Sequence, residues 1–452
     1  MPGELPATIE PAVPPASIPR ERPLTDRFLS LFAEVQNGEG IGALLLGAYV
    51  FLLLEAYYIL KTVREALILS EGSAEIKAYS SAVQAALLLL IIPAYGRFAS
   101  RVNRDRLVTS VTIFFASHLA IFYLLGRAGF HVGILFFLWV GIFNVLVIAQ
   151  FWALANDLYN ADQGKRLLPI VGIGSSLGAW LGAIHAAQLL PVFGTFGLML
   201  VAAGLLLICV VVHRLLSRFP RAFSKSGHAA AEQPLGREGA FRLILNSRYL
   251  SGIAALMLIA NLVNTTGEFL LSKLVVENAD RLIASGAASM EQKAAIIGSF
   301  YGNFFGWVNL VGMLLQLFFV SRIFKYIGVR GALFILPVIA FGSYGLVAVL
   351  PLLGLVRIAK VMENGTDYSI QNTTRQALFL ATSREAKYKA KAAIDSFFWR
   401  AGDVLSATLV FIGVRFGFAV RSYAAVNMCL ALIWIAIVMV IAREHKKLSA
   451  AA

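Results

Sequence analysis

Charged side chains stand inside stretches otherwise apolar enough to cross a bilayer. Lys61, Arg64 and Glu65 lie within Tyr58-Ile-Leu-Lys-Thr-Val-Arg-Glu-Ala-Leu67, and Asp395, Arg400 and Asp403 follow the lysines at 387, 389 and 391. An ionised group in hydrocarbon costs about 2.5 kcal/mol or more at a helix centre, so such residues face a bundle interior or a water-filled cavity. Guanidinium grips phosphate or carboxylate through paired hydrogen bonds. Arg64 and Arg400 are therefore candidate anion binders, with Lys61, Asn156 and Glu268 beside them. Glu55, Glu363, Asp367 and Asp403 are candidate coupling groups, which take protons or pair with the arginines when the site is empty. The competing reading is static pairing. Lys61 and Glu65 are i, i+4, Arg400 and Asp403 are i, i+3, and Asp395 adjoins the lysine cluster. On that reading Arg64 is the less obligated cation, and Glu55 has no cation at i±4.

The elements that carry these residues follow from composition. The 452 residues are 59% hydrophobic and 14% charged, against about 25% charged in a soluble domain. Apolar runs of about 20 residues recur along the chain, each enough to cross a core of ~30 Å as a helix. Spans are expected near 41–68, 76–97, 106–126, 132–158, 166–189, 193–215, 249–274, 293–322, 331–350, 354–378, 391–414 and 420–442. The fold class is thus an all-α membrane protein of twelve transmembrane helices in two six-helix halves. The halves occupy 39–215 and 248–442, joined by a central cytoplasmic loop at 216–247. A Pro-rich disordered tail precedes them at 1–38, and a short basic tail follows at 443–452.

The net charge of +14 does not point to nucleic acid. The basic residues crowd every second loop, as in Arg97 to Arg106 and Arg322 to Arg330, which is the positive-inside pattern and puts both termini in the cytoplasm. Cys209 and Cys429 lie in apolar runs without a CxxC partner, so neither a disulfide nor a zinc site is expected. No GxxxxGK[ST] loop appears and no nucleophile–base or metal constellation, so the chain reads as neither an ATPase nor an enzyme, and no cofactor is expected. The glycines of Gly172-Ile-Gly-Ser-Ser-Leu-Gly-Ala-Trp-Leu-Gly182 have dinucleotide-like spacing, but no strand precedes them. Small residues at i, i+4 and i+8 let two helices approach closely, either as static packing or as a face that rocks during transport.

The basic turn Gly96-Arg-Phe-Ala-Ser-Arg-Val-Asn-Arg-Asp-Arg106 resembles the signature loop of the major facilitator superfamily, with Ser100 where the acid usually stands. Ser321-Arg-Ile-Phe-Lys-Tyr-Ile-Gly-Val-Arg330 repeats it at the same place in the second half. Three further stretches resemble the ATP/ADP translocases of plastids and intracellular bacteria: Tyr58 to Leu67, Phe151-Trp-Ala-Leu-Ala-Asn-Asp-Leu-Tyr-Asn-Ala-Asp-Gln-Gly-Lys-Arg to Gly172, and Lys387-Tyr-Lys-Ala-Lys-Ala-Ala-Ile-Asp395. The resemblance implies nucleotide exchange through charged residues in the first, fourth, seventh and eleventh spans. Arg64 falls where that family has a lysine. The fourth-span acid falls near the apolar Val140. The seventh-span acid falls at Asn264 or Glu268. The eleventh-span lysine falls on Asp403, with Arg400 one turn below.

These readings converge on a secondary transporter for an anionic solute, a nucleotide or related phosphorylated metabolite, working by alternating access around a midplane site. It is expected as a monomer in the bacterial inner membrane. Two alternatives stand beside it: a proton-coupled carrier of a different solute, which the many acids favour, and a membrane sensor or scaffold that moves nothing.

Overall fold

The computed structural model describes residues 24–30, 34–36, 38–99, 101–216, 218, 239–383 and 385–451. Among them every regular element is helical. The chain runs through α1 (Leu24–Leu29), α2 (Gly40–Glu71), α3 (Ala74–Ala99), α4 (Arg104–Arg127), α5 (Gly133–Phe143), α6 (Ala149–Leu158), α7 (Ala161–Leu216), α8 (Ala240–Asn246), α9 (Arg248–Ala284), α10 (Lys293–Phe318), α11 (Val320–Ala332), α12 (Ile335–Val349), α13 (Leu353–Thr366), α14 (Asn372–Leu378), α15 (Lys391–Ala393), α16 (Trp399–Arg415) and α17 (Val420–Ala451). Single π-helical turns join α5 to α6 (Asn144–Ile148), α13 to α14 (Asp367–Gln371) and α15 to α16 (Ile394–Phe398).

By length and apolarity nine of the described helices can cross a membrane, or ten if the bent pair α11–α12 is one span. The expected twelve differ for physical reasons. The 56-residue α7 is broken at Gly194, whose φ of 67° suits only a residue without Cβ, and it so covers two expected spans. The expected tenth span is α13 and α14 joined by a π-turn, and Arg357, Lys360, Glu363, Asp367 and Arg375 make it more polar than the others. The expected tail also needs correction: α1 lies within it. Asp26 is fully buried there and accepts hydrogen bonds from the amides of Gly38 (2.7 Å) and Gly40 (2.9 Å), fixing the entry to α2. The central loop shortens as well, because α8 occupies part of it; most of 216–247 lies outside the described residues.

Two groups of helices result. In the first, α2 packs along α7, with α4 against α7 and α5 against α2. In the second, α9 and α12 pack on α17, α16 on α9, and α10 on α13. Their most internal members are α2 and α9, each buried over 72% of its apolar window, whereas α3 is buried over 11%. A helix apolar all round belongs at a bundle centre.

The small residues explain the close approach of α2 and α7. A methyl group at Gly174 or Gly182 would run into the backbone of Gly47 or Glu55, and one at Gly178 would overlap the Phe51 carbonyl. This stripe packs inside the first group, so it is not a rocking face between groups. Between the groups, α10 supplies a second stripe. A Cβ at Gly302 would stand 2.8 Å from that of Ala187, and one at Gly298 would strike Leu190. Without water to drive apolar burial, such close backbone packing is the main cohesive force between helices in lipid.

Candidate anion site between the two groups

The charged residues of α2 and α16 meet in one cavity of about 180 Å³. Its wall carries Lys61, Arg64 and Glu65 from α2, Lys77 from α3, Glu268 from α9, and Arg400 and Asp403 from α16. Asn264, Thr265, Asn364, Phe137, Phe305 and Tyr368 fill the gaps. Lys61, Arg64 and Glu65 share one wall because i, i+3 and i+4 positions lie on one helix face.

The pairing differs from the local one the sequence suggests. Glu65, 1% exposed, is held by Arg64 on one side (Nη2 to Oε1, 2.5 Å) and by Lys77 on the other (Nζ to Oε2, 2.6 Å). It does not pair with Lys61, and Arg64 is not the free cation. Lys61 has that place. Its ammonium lies over the rings of Phe305 (4.1 Å), Tyr58 (5.2 Å) and Tyr368 (5.9 Å), and among the described residues no carboxylate stands within ion-pair distance. Buried ammonium groups lie favourably on aromatic faces.

Arg400 and Asp403 do form the expected pair, at 3.3 Å. The other Asp403 oxygen accepts hydrogen bonds from Asn261 Nδ2 (2.8 Å) and Thr265 Oγ1 (3.0 Å), which tie α16 to α9. Asp395 pairs with Lys391 at 3.2 Å, away from the cavity wall. Glu268 accepts a bond from Asn364 (2.8 Å) and lies 3.6 Å from Lys360. Lys360, 1% exposed, also reaches Asn264 Oδ1 (2.8 Å) and Glu363 (3.2 Å), and Glu363 accepts a bond from Tyr344 (2.8 Å). Glu363 therefore sits behind the wall and balances Lys360.

Three expected site residues lie elsewhere. Glu55 is not on the cavity wall; it is bonded to His185 of α7 at 2.7 Å, so it does have a partner, from another helix. Asp367 starts the π-turn and is outside the wall. Asn156 is exposed near the end of α6. Sequence reasoning missed Lys77 and the role of Lys360. The signal for Lys77 was a lysine one turn inside an apolar run, near the depth of Glu65.

Towards the turns 72–73 and 285–289 the two groups are linked by polar contacts. Lys77 Nζ donates to Ser272 Oγ across the groups (2.9 Å), and Ser272 bonds the Tyr301 hydroxyl (2.9 Å). Lys273 faces Glu75 at 3.7 Å, and Asn309 of α10 donates to the Ala179 carbonyl of α7 (3.1 Å).

Two groups of apolar helices around a shared charged cavity are the layout of a membrane transporter with a major-facilitator-like fold. The solved structures agree on the fold. A bacterial homologue of the human lysosomal transporter Spinster, in an inward-facing and unoccupied conformation, superposes with a TM-score of 0.56 at 15% identity, over 89% of this chain and 98% of that one. The family model of the TLC ATP/ADP transporters matches residues 130–451, and the chain belongs to that family. ADP,ATP carrier protein 5 of Rickettsia bellii (strain RML369-C) is 24% identical over 83% of this chain and 87% of its own length. ADP,ATP carrier protein 1 of Chlamydia pneumoniae is 25% identical, but the match covers 56% of this chain and spans only about half of that relative, 54%. The protein is thus a transporter, not an enzyme.

Proposed function

We propose that this transporter carries a nucleotide or a closely related phosphorylated anion by alternating access between its two groups. One observation carries the reading: the cavity wall holds four cations against three acids, and each acid already has a basic partner. The site is net positive with every group ionised. An anion can therefore enter without any acid taking a proton, which removes the charge argument for obligatory proton coupling. The names of the relatives, ADP,ATP carriers, support a nucleotide as cargo. Lys61, Arg64, Lys77 and Arg400 bind it; Glu65, Glu268 and Asp403 hold the cations in place when it leaves.

The chain crosses the inner membrane as a monomer, with six spans on either side of residues 216–247 and no nucleic-acid partner. The basic loops put both termini in the cytoplasm. The links at Lys77, Lys273 and Gly302 then lie towards the outside, so the described conformation faces inward. The test is uptake of radiolabelled adenine nucleotides by proteoliposomes, competed with unlabelled nucleotides, sugar phosphates and organic anions. Saturable uptake blocked by nucleotides is expected; uptake indifferent to every phosphate-bearing competitor would end the reading.

A further inference from the structure

The cations of the cavity wall account for the phosphates of a cargo, and the uncharged side chains bear on the rest of it. Ser81, Gln84, Asn264, Thr265 and Asn364 are the amides and aliphatic hydroxyls on the wall. Ser81 donates to the Lys77 carbonyl (3.1 Å), Thr265 to Asp403 (3.0 Å) and Asn364 to Glu268 (2.8 Å), and Asn264 accepts from Lys360 (2.8 Å). Gln84 is different. Its Oε1 is buried, and among the described residues no donor reaches it. The amide lies against Gly141 of α5, where any Cβ would overlap it. A buried acceptor without a donor is unfavourable. The last side-chain torsion of glutamine is soft, so the amide can turn towards the cavity when a donor arrives there.

We propose that Gln84 binds the cargo, its amide oxygen accepting a hydrogen bond from the uncharged part, a ribose hydroxyl or a base amine. This deepens the nucleotide reading and rests on it. Lys77, Ser81 and Gln84 follow one another on the cavity face of α3 at i, i+4 and i+7. Gln84 therefore stands about 10 Å along the helix from the Lys77 cation. The phosphates stay with Lys61, Arg64, Lys77 and Arg400, and the nucleoside extends from them along α3. A cargo that brings no donor leaves Gln84 unpaired, and a site rejects an analogue through such a missing group.

Proteoliposomes holding the full chain test this through uptake of labelled ATP. The unlabelled competitors are ATP, an ATP analogue lacking both ribose hydroxyls, inosine triphosphate, whose base lacks the amine, and tripolyphosphate. Removing the group that meets Gln84 should weaken competition by roughly tenfold, as for one lost hydrogen bond to a buried acceptor. A loss with the first analogue assigns the ribose, and a loss with the inosine compound assigns the base. Gln84→Leu, of similar volume, should weaken ATP to the level of that analogue and leave tripolyphosphate unchanged. Gly141→Ala, whose methyl group would displace the amide, should narrow the same gap and reads it independently should Gln84→Leu fail to fold. Both analogues competing as well as ATP, or a gap that survives in the variants, would overturn the role of Gln84 and leave nucleotide transport standing. Equal weakening of every competitor in Gln84→Leu, tripolyphosphate included, would also overturn it, since a packing residue behaves that way. Failure of any nucleotide to be taken up or to compete would overturn both readings.

Discussion

A buried carboxylate with two counter-ions behaves differently from one with a single partner. Glu65 is reached by Arg64 along its own helix and by Lys77 from the next. Arg64→Ala and Lys77→Ala should each leave a folded protein with impaired transport, because one cation still holds Glu65. The double variant leaves a buried charge unpaired, at about 3–5 kcal/mol, so its melting temperature in detergent should drop by far more than the two single losses added together. Additive losses would count against a shared carboxylate. Asp403 has a single cation among the described residues. Arg400→Ala leaves that buried carboxylate without its only counter-ion, whereas Asp403→Ala frees a partly exposed Arg400 and an Asn261 that still bonds the Trp399 carbonyl. Arg400→Ala should therefore be the more destabilising, by about 3–5 kcal/mol, and a double-mutant cycle should show coupling between the two.

At the scale of helices, backbone proximity sets what each glycine tolerates. Gly178→Ala would force a methyl group into the Phe51 carbonyl where α7 meets α2, while Gly172 has open space around it. The first change should cost about 1–3 kcal/mol. Gly172→Ala should be neutral or stabilise by up to about 1 kcal/mol, since alanine is the better helix former. Equal melting temperatures for the two would contradict the described contact. The start of α2 is held electrostatically. Arg166 of α7 reaches both oxygens of Glu39 (2.9 and 3.1 Å) and Gln163 donates to one (2.9 Å). Burial alone would raise the Glu39 carboxyl, but these bonds and the Gln36 amide hold it below the usual carboxylate range. A depressed folded-state value means the stabilisation is present above the unfolded carboxylate range and is lost as pH falls through the folded value. Wild-type stability should therefore drop on acidification below about pH 4.5 more steeply than that of Glu39→Gln, which thermal melts across pH can read.

For the molecule as a whole, the proposed inward-facing state makes the contact of α10 with α7 the lock on the other end. Gly302→Val would wedge Ala187 away and favour the opposite conformation. A cysteine at Ser81, on the cavity wall, should then react faster with a membrane-impermeant thiol reagent applied from the side of the 72–73 turn. Unchanged labelling would show that this contact does not set the equilibrium. The helical bundle was legible in the sequence because apolar runs of span length admit few alternatives, and depth along α2 followed from a rise of about 1.5 Å per residue. Direction around each helix was not legible. Glu55 and Asp367 lie at plausible depths, yet Glu55 turns to His185 and Asp367 misses the cavity wall. Partners from other helices were equally hidden: nothing near Glu65 names Lys77, and nothing near Glu268 names Lys360.

The π-turn at Ile394–Phe398 bears on how this chain is compared with its relatives. A π-turn accommodates one more residue than the α-turn it interrupts, and one residue of helix is about 100° of rotation. Beyond it, two sequences with the same cation pointing at the same cargo can place that cation at different counts from a shared motif. Arg400 and Asp403 are three residues apart and reach one cavity wall because i and i+3 share a helix face. Past the π-turn, a residue count and a direction around the helix no longer run in step, and the cavity reads direction.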